Sequence, residues 1–119
     1  MKKIIIKFIP HKEQRYDTWG DYWIDKDGDW QLRISKDQGT NDENFCVAIH
    51  ELIEFALTQK RKISEPAVKK FDEAHLKHPD PGFHPQAPYG KEHHFATQIE
   101  YLVLEELSTP PPTPSPFRG

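Results

Sequence analysis

Three polar side chains, His50, Glu51 and Glu54, interrupt the otherwise apolar run Cys46-Val47-Ala48-Ile49-His50-Glu51-Leu52-Ile53-Glu54-Phe55-Ala56-Leu57. On an α-helix, His50 and Glu54 stand one turn apart on one face, within joint reach of a small ion. Glu51 lies about 100° round from His50, at the edge of that face. An imidazole and two carboxylates on an apolar helix are costly to desolvate unless something compensates them, and a divalent metal would do so. The helical zinc-binding motif His-Glu-x-x-His uses both His as ligands and the Glu as general base. This chain keeps the spacing but carries Glu54 at the second ligand place, so the missing imidazole has to come from elsewhere.

A second helix-forming stretch opens Glu92-His93-His94-Phe95-Ala96-Thr97. Packed beside the first, it would complete a His-Glu-His set from His50, Glu54 and one of its two imidazoles. Three protein ligands leave a fourth position for water, and one carboxylate leaves a Zn2+ ion net positive, able to acidify that water. Glu51 would then be the catalytic base. His93 shares a strip with Thr97 and Glu100, and His94 shares one with Gln98 and Tyr101; periodicity alone does not choose. Glu100 favours His93, because it gives that strip a second carboxylate to orient a ligand or to act as one. Tyr89, just before this helix, is either an ordinary loop residue or a donor to an oxyanion. Asp72 reads as a surface acid by default, or else as a support behind the metal ligands; Glu105 and Glu106 read as surface acids, His11, His75 and His78 as surface imidazoles, and His84 as a surface residue rather than a site residue. Cys46 reads as a small core residue.

The elements that must position these groups follow from local pattern. Residues 2–9 (KKIIIKFI) form a first strand ended by Pro10. Asp27-Gly28, between WGDYWID and WQLRIS, marks a hairpin. In its second arm Trp30, Leu32 and Ile34 face a core while Gln31, Arg33 and Ser35 face water, and the three Trp are expected on the core face of the sheet. Thr40 with Glu43 forms a capping box for a helix over 41–59. Ser64-Glu65-Pro66 starts a second helix, stopped by Pro79. Residues 78–89, with four prolines in twelve positions, form a loop long enough to have a task, as one wall of a cleft. A third helix over 91–107 has Phe95, Ile99, Leu102, Val103 and Leu107 as its core stripe. The expectation is one α+β domain over 1–108, a small antiparallel or mixed N-terminal sheet followed by three helices, with a proline-rich extended tail over 109–119.

A net charge of -3 and pI near 6.1 argue against a nucleic-acid or membrane-surface partner. The single cysteine fits a reducing interior, and Lys7 and Pro10 break the only run resembling a signal segment, so a cytoplasmic protein inside a host cell is expected.

The segments IPHKEQRY, GDYW, VAIHELIE and APYGKEHHFATQIEYL together resemble a group of short phage and prophage proteins over roughly residues 4 to 107. In that group's pattern the first His of the pair follows Glu in an E-H-x-F-A-T context, which maps onto His93 and leaves His94 as the variable place. More loosely, the order of sheet, His-Glu helix and downstream ligand helix resembles the zincin-like metallopeptidases. The chain departs from them in having Glu54 on the first helix and a His downstream. The resemblance implies a zinc hydrolase acting on a peptide or protein substrate. The alternative is a non-catalytic, metal-stabilised protein-binding module, which requires a fourth protein ligand from Glu100 or Glu51. A metal-free interaction protein requires Glu54 and His93 to face solvent.

Overall fold

A computed structural model describes residues 2–110; beyond Pro110 the expected tail lies outside the described residues. The chain is α+β, a three-stranded mixed sheet followed by three helices. Strands β1 (Ile4–Ile9), β2 (Gly20–Ile24) and β3 (Trp30–Ser35) lie in the order β1-β3-β2, with β1 parallel and β2 antiparallel to β3. The β2–β3 hairpin turns at the expected place. Gly28 takes φ +82°, which costs a residue without Cβ nothing, and the Asp25 carboxylate accepts the Asp27 and Asp29 N–H groups.

The helices are α1 (Asn41–Lys60), α2 (Glu65–Ala74) and α3 (Gly90–Ser108). Thr40 accepts the Glu43 N–H while the Glu43 carboxylate accepts the Thr40 N–H, so α1 starts with the expected capping box. Ser64 caps α2, with Pro66 in its first turn. Among the described residues no helix is long and apolar enough to cross a membrane.

The core forms where α1 crosses the sheet. Phe55 has no exposed surface and stacks between Tyr22 and Trp30, with ring centroids 4.5 and 4.3 Å away. Leu32, Val68 and Tyr89 complete this cluster, and Ile34, Val47 and Ala48 form a second one under Trp19. Cys46 is buried. Two of the three Trp therefore face the core. Trp23 lies on the opposite face, beneath the Arg15 guanidinium at 4.1 Å.

Three expectations change. The second face of β3 is not open to water: Gln31 and Ser35 are buried. The 10–18 segment folds over it, Gln14 donating to the Arg33 carbonyl and to Ser35 Oγ. His11 is part of that clasp rather than an idle surface group, with Nδ1 2.8 Å from Ser35 Oγ and Nε2 2.7 Å from Asp17. On α3 the expected core stripe faces inward only in part: Ile99 and Val103 are half-buried and Phe95, Leu102 and Leu107 are exposed, whereas Glu92, His93, Ala96 and Thr97 are buried. Small side chains let α3 approach α1 closely, and the inward face is the one whose polar groups find partners on α1. Arg61 at the end of α1 holds the buried Glu92 across this contact at 2.5 Å.

Candidate metal centre

The α1–α3 contact places His50, Glu54 and His93 together, the first two buried and His93 nearly so, at 9% exposed. His93 Nδ1 lies 2.8 Å from Glu54 Oε1 and 3.1 Å from His50 Nε2, and His50 Nε2 lies 3.7 Å from the same oxygen. Donors of a tetrahedral zinc shell, each about 2.1 Å from the ion, stand about 3.4 Å apart. The observed triangle is of that size, and a small cation capping it would reach all three atoms. Both imidazoles are also braced from behind. His93 Nε2 is 3.0 Å from the Asp80 carboxylate, and His50 Nδ1 is 2.7 Å from Glu100 Oε1 without hydrogen-bond alignment. The Asp80 hydrogen bond fixes the ring and tautomer of His93 and makes its inner nitrogen a better donor to a metal, while Glu100 acts on His50 through its charge. Glu100 thus stands behind His50 and not on the inner side of the cluster. The other imidazole of the pair, His94, is exposed and packs edge-on against Phe83.

The electrostatics are those of a cation site filled by protons. Burial alone would lower the His50 pKa, but Glu100 and then Glu54 override it and raise it to about 11. For His93, burial is likewise overridden, by Asp80 and Glu54, to about 9. Burial pushes Glu54 up, but the two imidazoles outweigh it and hold its carboxyl down at about 2. Glu51 goes the other way: burial, then the Glu54 charge, raise it well above the carboxylate range.

Glu51 sits in the wall of a cleft of about 460 Å³ that runs past the cluster between β2 and the 78–81 segment. A Cβ on Gly20 would fall 2.4 Å from Glu51 Cγ, so the edge strand β2 approaches Glu51 closely only because residue 20 is glycine. The same device holds His93. A Cβ on Gly82 would fall 2.3 Å from His93 Cγ. Gly82→Ala is expected to push the ring off Glu54, to cost about 1–3 kcal/mol as an overpacked site, and to weaken zinc uptake. Thermal melts of the metal-free protein and zinc titrations check this; an unchanged melt with unchanged uptake would mean that the loop moves freely.

Asp80 and Gly82 were not singled out in the sequence. The only signal there is the loop's length and proline content, which says that the loop has a task without naming the residues. Asp72, expected as a surface acid, is half-buried in the cleft wall, where Tyr16 OH donates to it at 2.9 Å and Tyr89 OH donates to its other oxygen. Tyr89 is therefore committed to Asp72 and not free for an oxyanion. His75 and His84 are half-buried beside Phe71, with ring centroids 4.0 and 5.5 Å from it. His78 Nδ1 accepts the Asp80 N–H, which braces the loop carrying Asp80. Compared with known proteins, the chain matches no family model, no curated protein and no solved structure.

Proposed function

We propose that the protein is a zinc-dependent hydrolase of peptide or related amide bonds, with His50, Glu54 and His93 as metal ligands and Glu51 as general base. The observation that carries this reading is the convergence of three inner donor atoms, each imidazole backed by a carboxylate, beside a cleft whose wall contains Glu51. Bound zinc would supply a Lewis acid for a scissile carbonyl and lower the pKa of a water molecule.

The chain's own residues do the rest. Glu51, in its ionised form, takes a proton from the attacking water and hands it to the leaving amine; burial and the Glu54 charge favour its neutral form in the metal-free protein, and a bound dication would oppose both. Asp80 holds the His93 ring in place and Glu100 balances the charge of His50 as charge shifts. β2 is an edge strand, and Gly20 to Tyr22 line the cleft, so an extended peptide can pair with its free side. The purely structural reading needs a fourth protein ligand. Glu100 stands behind His50, and Glu51 is not in the converging group.

Glu51→Gln is the direct test. It is expected to lower hydrolysis of a peptide-library substrate by about 10²–10⁴-fold while zinc content stays unchanged. Zinc loss in that variant would make Glu51 a ligand and turn the reading toward a structural site.

A further inference from the structure

We propose that a second copy of this chain docks about a two-fold axis at Ile6, β1 pairing antiparallel with its own copy and the α1–α3 face above it meeting the same face of the partner. The proposal is independent of the metal reading.

In register with β3, Ile4, Ile6 and Phe8 stand opposite Trp30, Leu32 and Ile34, so they share the sheet face on which α1 packs. All three are exposed, because α1 lies over β2 and β3. Glu51 on α1 turns toward Gly20 of β2, and His50 toward α3. Phe45, Ile49, Ile53 and Ala56 recur at helical spacing on the remaining side of α1, away from the cleft. Phe95, Ile99 and Leu102 recur likewise on α3, opposite the side whose Thr97 and Tyr101 line the cleft.

The exposed members Ile4, Ile6, Phe8, Phe45, Phe95 and Leu102 each show between 39% and 62% of their surface. At about 200 Å² for a whole large side chain they present roughly 550 Å², before the half-buried Ile49, Ile53 and Ile99 are counted. A stable dimer buries about 800 Å² per partner, and apolar patches of more than a few hundred Å² mark interaction sites.

The free edge of β1 is complementary to itself. The Lys3 and Ile9 carbonyls accept from Trp30 and Lys36, so alternate residues of β1 turn their backbone groups to β3, while Ile4, Ile6 and Phe8 turn theirs outward. With both helix layers on one side of the joined sheet, a centre at Ile6 sets Ile6 against Ile6, Ile4 against Phe8 and Lys7 against Ile5. Moving the centre to Ile5 sets Lys3 against Lys7, and moving it to Lys7 sets that lysine against itself. Opposed apolar side chains stabilise a strand pair and opposed like charges destabilise it. Lysines that guard an edge strand against most pairings thus favour this one.

The charges on α1 select the same axis. The helix runs back along β3, with Val47 and Ala48 packed on Ile34 and Phe55 on Trp30. Asp42 and Lys60 are exposed at its two ends, about five turns apart and therefore on one side, that of the apolar stripe. Neither has an ion-pair partner among the described residues. Their midpoint falls between those two contacts, level with Leu32 and hence with Ile6. A two-fold axis at Ile6 turns Asp42 of each protomer toward Lys60 of the other. The clefts, on the far side of α1, stay open.

Sedimentation equilibrium of the full chain at micromolar concentration, with and without zinc, is expected to give twice the 14.0 kDa chain mass. Ile6→Lys, which sets two charges on the axis, and Leu102→Glu are each expected to weaken the dimer by about tenfold or more. Should Ile6→Lys not melt cooperatively, Leu102→Glu carries this arm, since that side chain is 62% exposed. Oxidised Ile6→Cys is expected to form a disulfide dimer, because hydrogen-bonded residues opposed in an antiparallel pair stand about 5.5 Å apart, within disulfide reach. Ile4→Cys and Phe8→Cys, each displaced along the strands from its own copy, are expected not to, and the native Cys46 is buried. A monomer at every concentration would overturn the proposal, and its flotation with phosphatidylcholine vesicles would assign the face to a lipid surface. A dimer insensitive to both charge substitutions, or cross-linked through Ile4→Cys rather than Ile6→Cys, would overturn it as well.

Discussion

Wild-type protein purified without a poly-His tag is expected to carry about one equivalent of zinc, and His93→Ala to carry almost none. Removing a carboxylate behind a metal-bound His typically costs roughly 10–100-fold in affinity, and removing the ligand itself costs more. His93 is the only one of the three candidate ligands that comes from α3; without it His50 and Glu54 remain as an i,i+4 pair on one helix, too few for a tetrahedral site. The loss also leaves Glu54 without its 2.8 Å contact and Asp80 without its 3.0 Å contact, so nothing in the variant rebuilds the set. His94→Ala supplies the control. That side chain is exposed, touches Phe83, and is expected to leave zinc content unchanged. Elemental analysis of the three proteins, before and after adding metal back, decides the matter. Wild type that takes up no stoichiometric zinc would sink the metal reading altogether, and loss of zinc from His94→Ala alone would reassign the ligand.

The sequence carried the parts of this arrangement that have a short period or a fixed local chemistry. The hairpin at Asp27-Gly28, the Thr40/Glu43 capping box and the limits of α1 are decided within a few residues, and the i,i+4 spacing puts His50 and Glu54 on one face whatever else the chain does. Facing directions were harder. The apolar residues of α3 suggested a core through Phe95 and Leu102, yet both are exposed and only Ile99 and Val103 of that stripe are half-buried. Hydrophobic periodicity cannot weigh an apolar face against a face whose His93 and Glu92 gain charged partners on burial. The alternation in β3 failed for a related reason. Ser35 and Gln31 are polar and yet buried, because His11, Gln14 and Asp25 supply their hydrogen bonds, and those partners lie far away in the sequence or on the other side of a turn. Loop residues were the least legible. Asp80 and Gly82 act on His93 through one close approach each, and a close approach leaves no periodic trace.

Zinc uptake at neutral pH is expected to release about two protons per chain. The metal-free cluster holds protons where a dication would sit: His50 is raised to about 11 and His93 to about 9, while Glu54 is held at about 2 and is already ionised. An imidazole must lose its proton to ligate, so each of the two contributes one below pH 9. The exchange of two protons for Zn2+ leaves the charge of the cluster unchanged, and Glu54, Asp80 and Glu100 remain balanced. Apparent affinity should therefore climb by up to about 100-fold per pH unit between pH 7 and 9, and by about tenfold per unit from there to 11. Stability of the metal-free protein runs in the opposite sense. The raised imidazoles stabilise the fold fully below about pH 6.5, and that contribution is lost as pH rises through 9 and then 11. The depressed Glu54 stabilises it above about pH 4.5, and that contribution is lost as pH falls through about 2. Metal-free protein should melt at progressively lower temperature on the alkaline side, where the zinc-loaded protein gains most over it. Calorimetric titration at pH 7 in two buffers of different ionisation enthalpy measures the protons directly. A value near two ties binding to this pair of imidazoles, whereas a value near zero would place the metal on groups that are already deprotonated, away from His50 and His93.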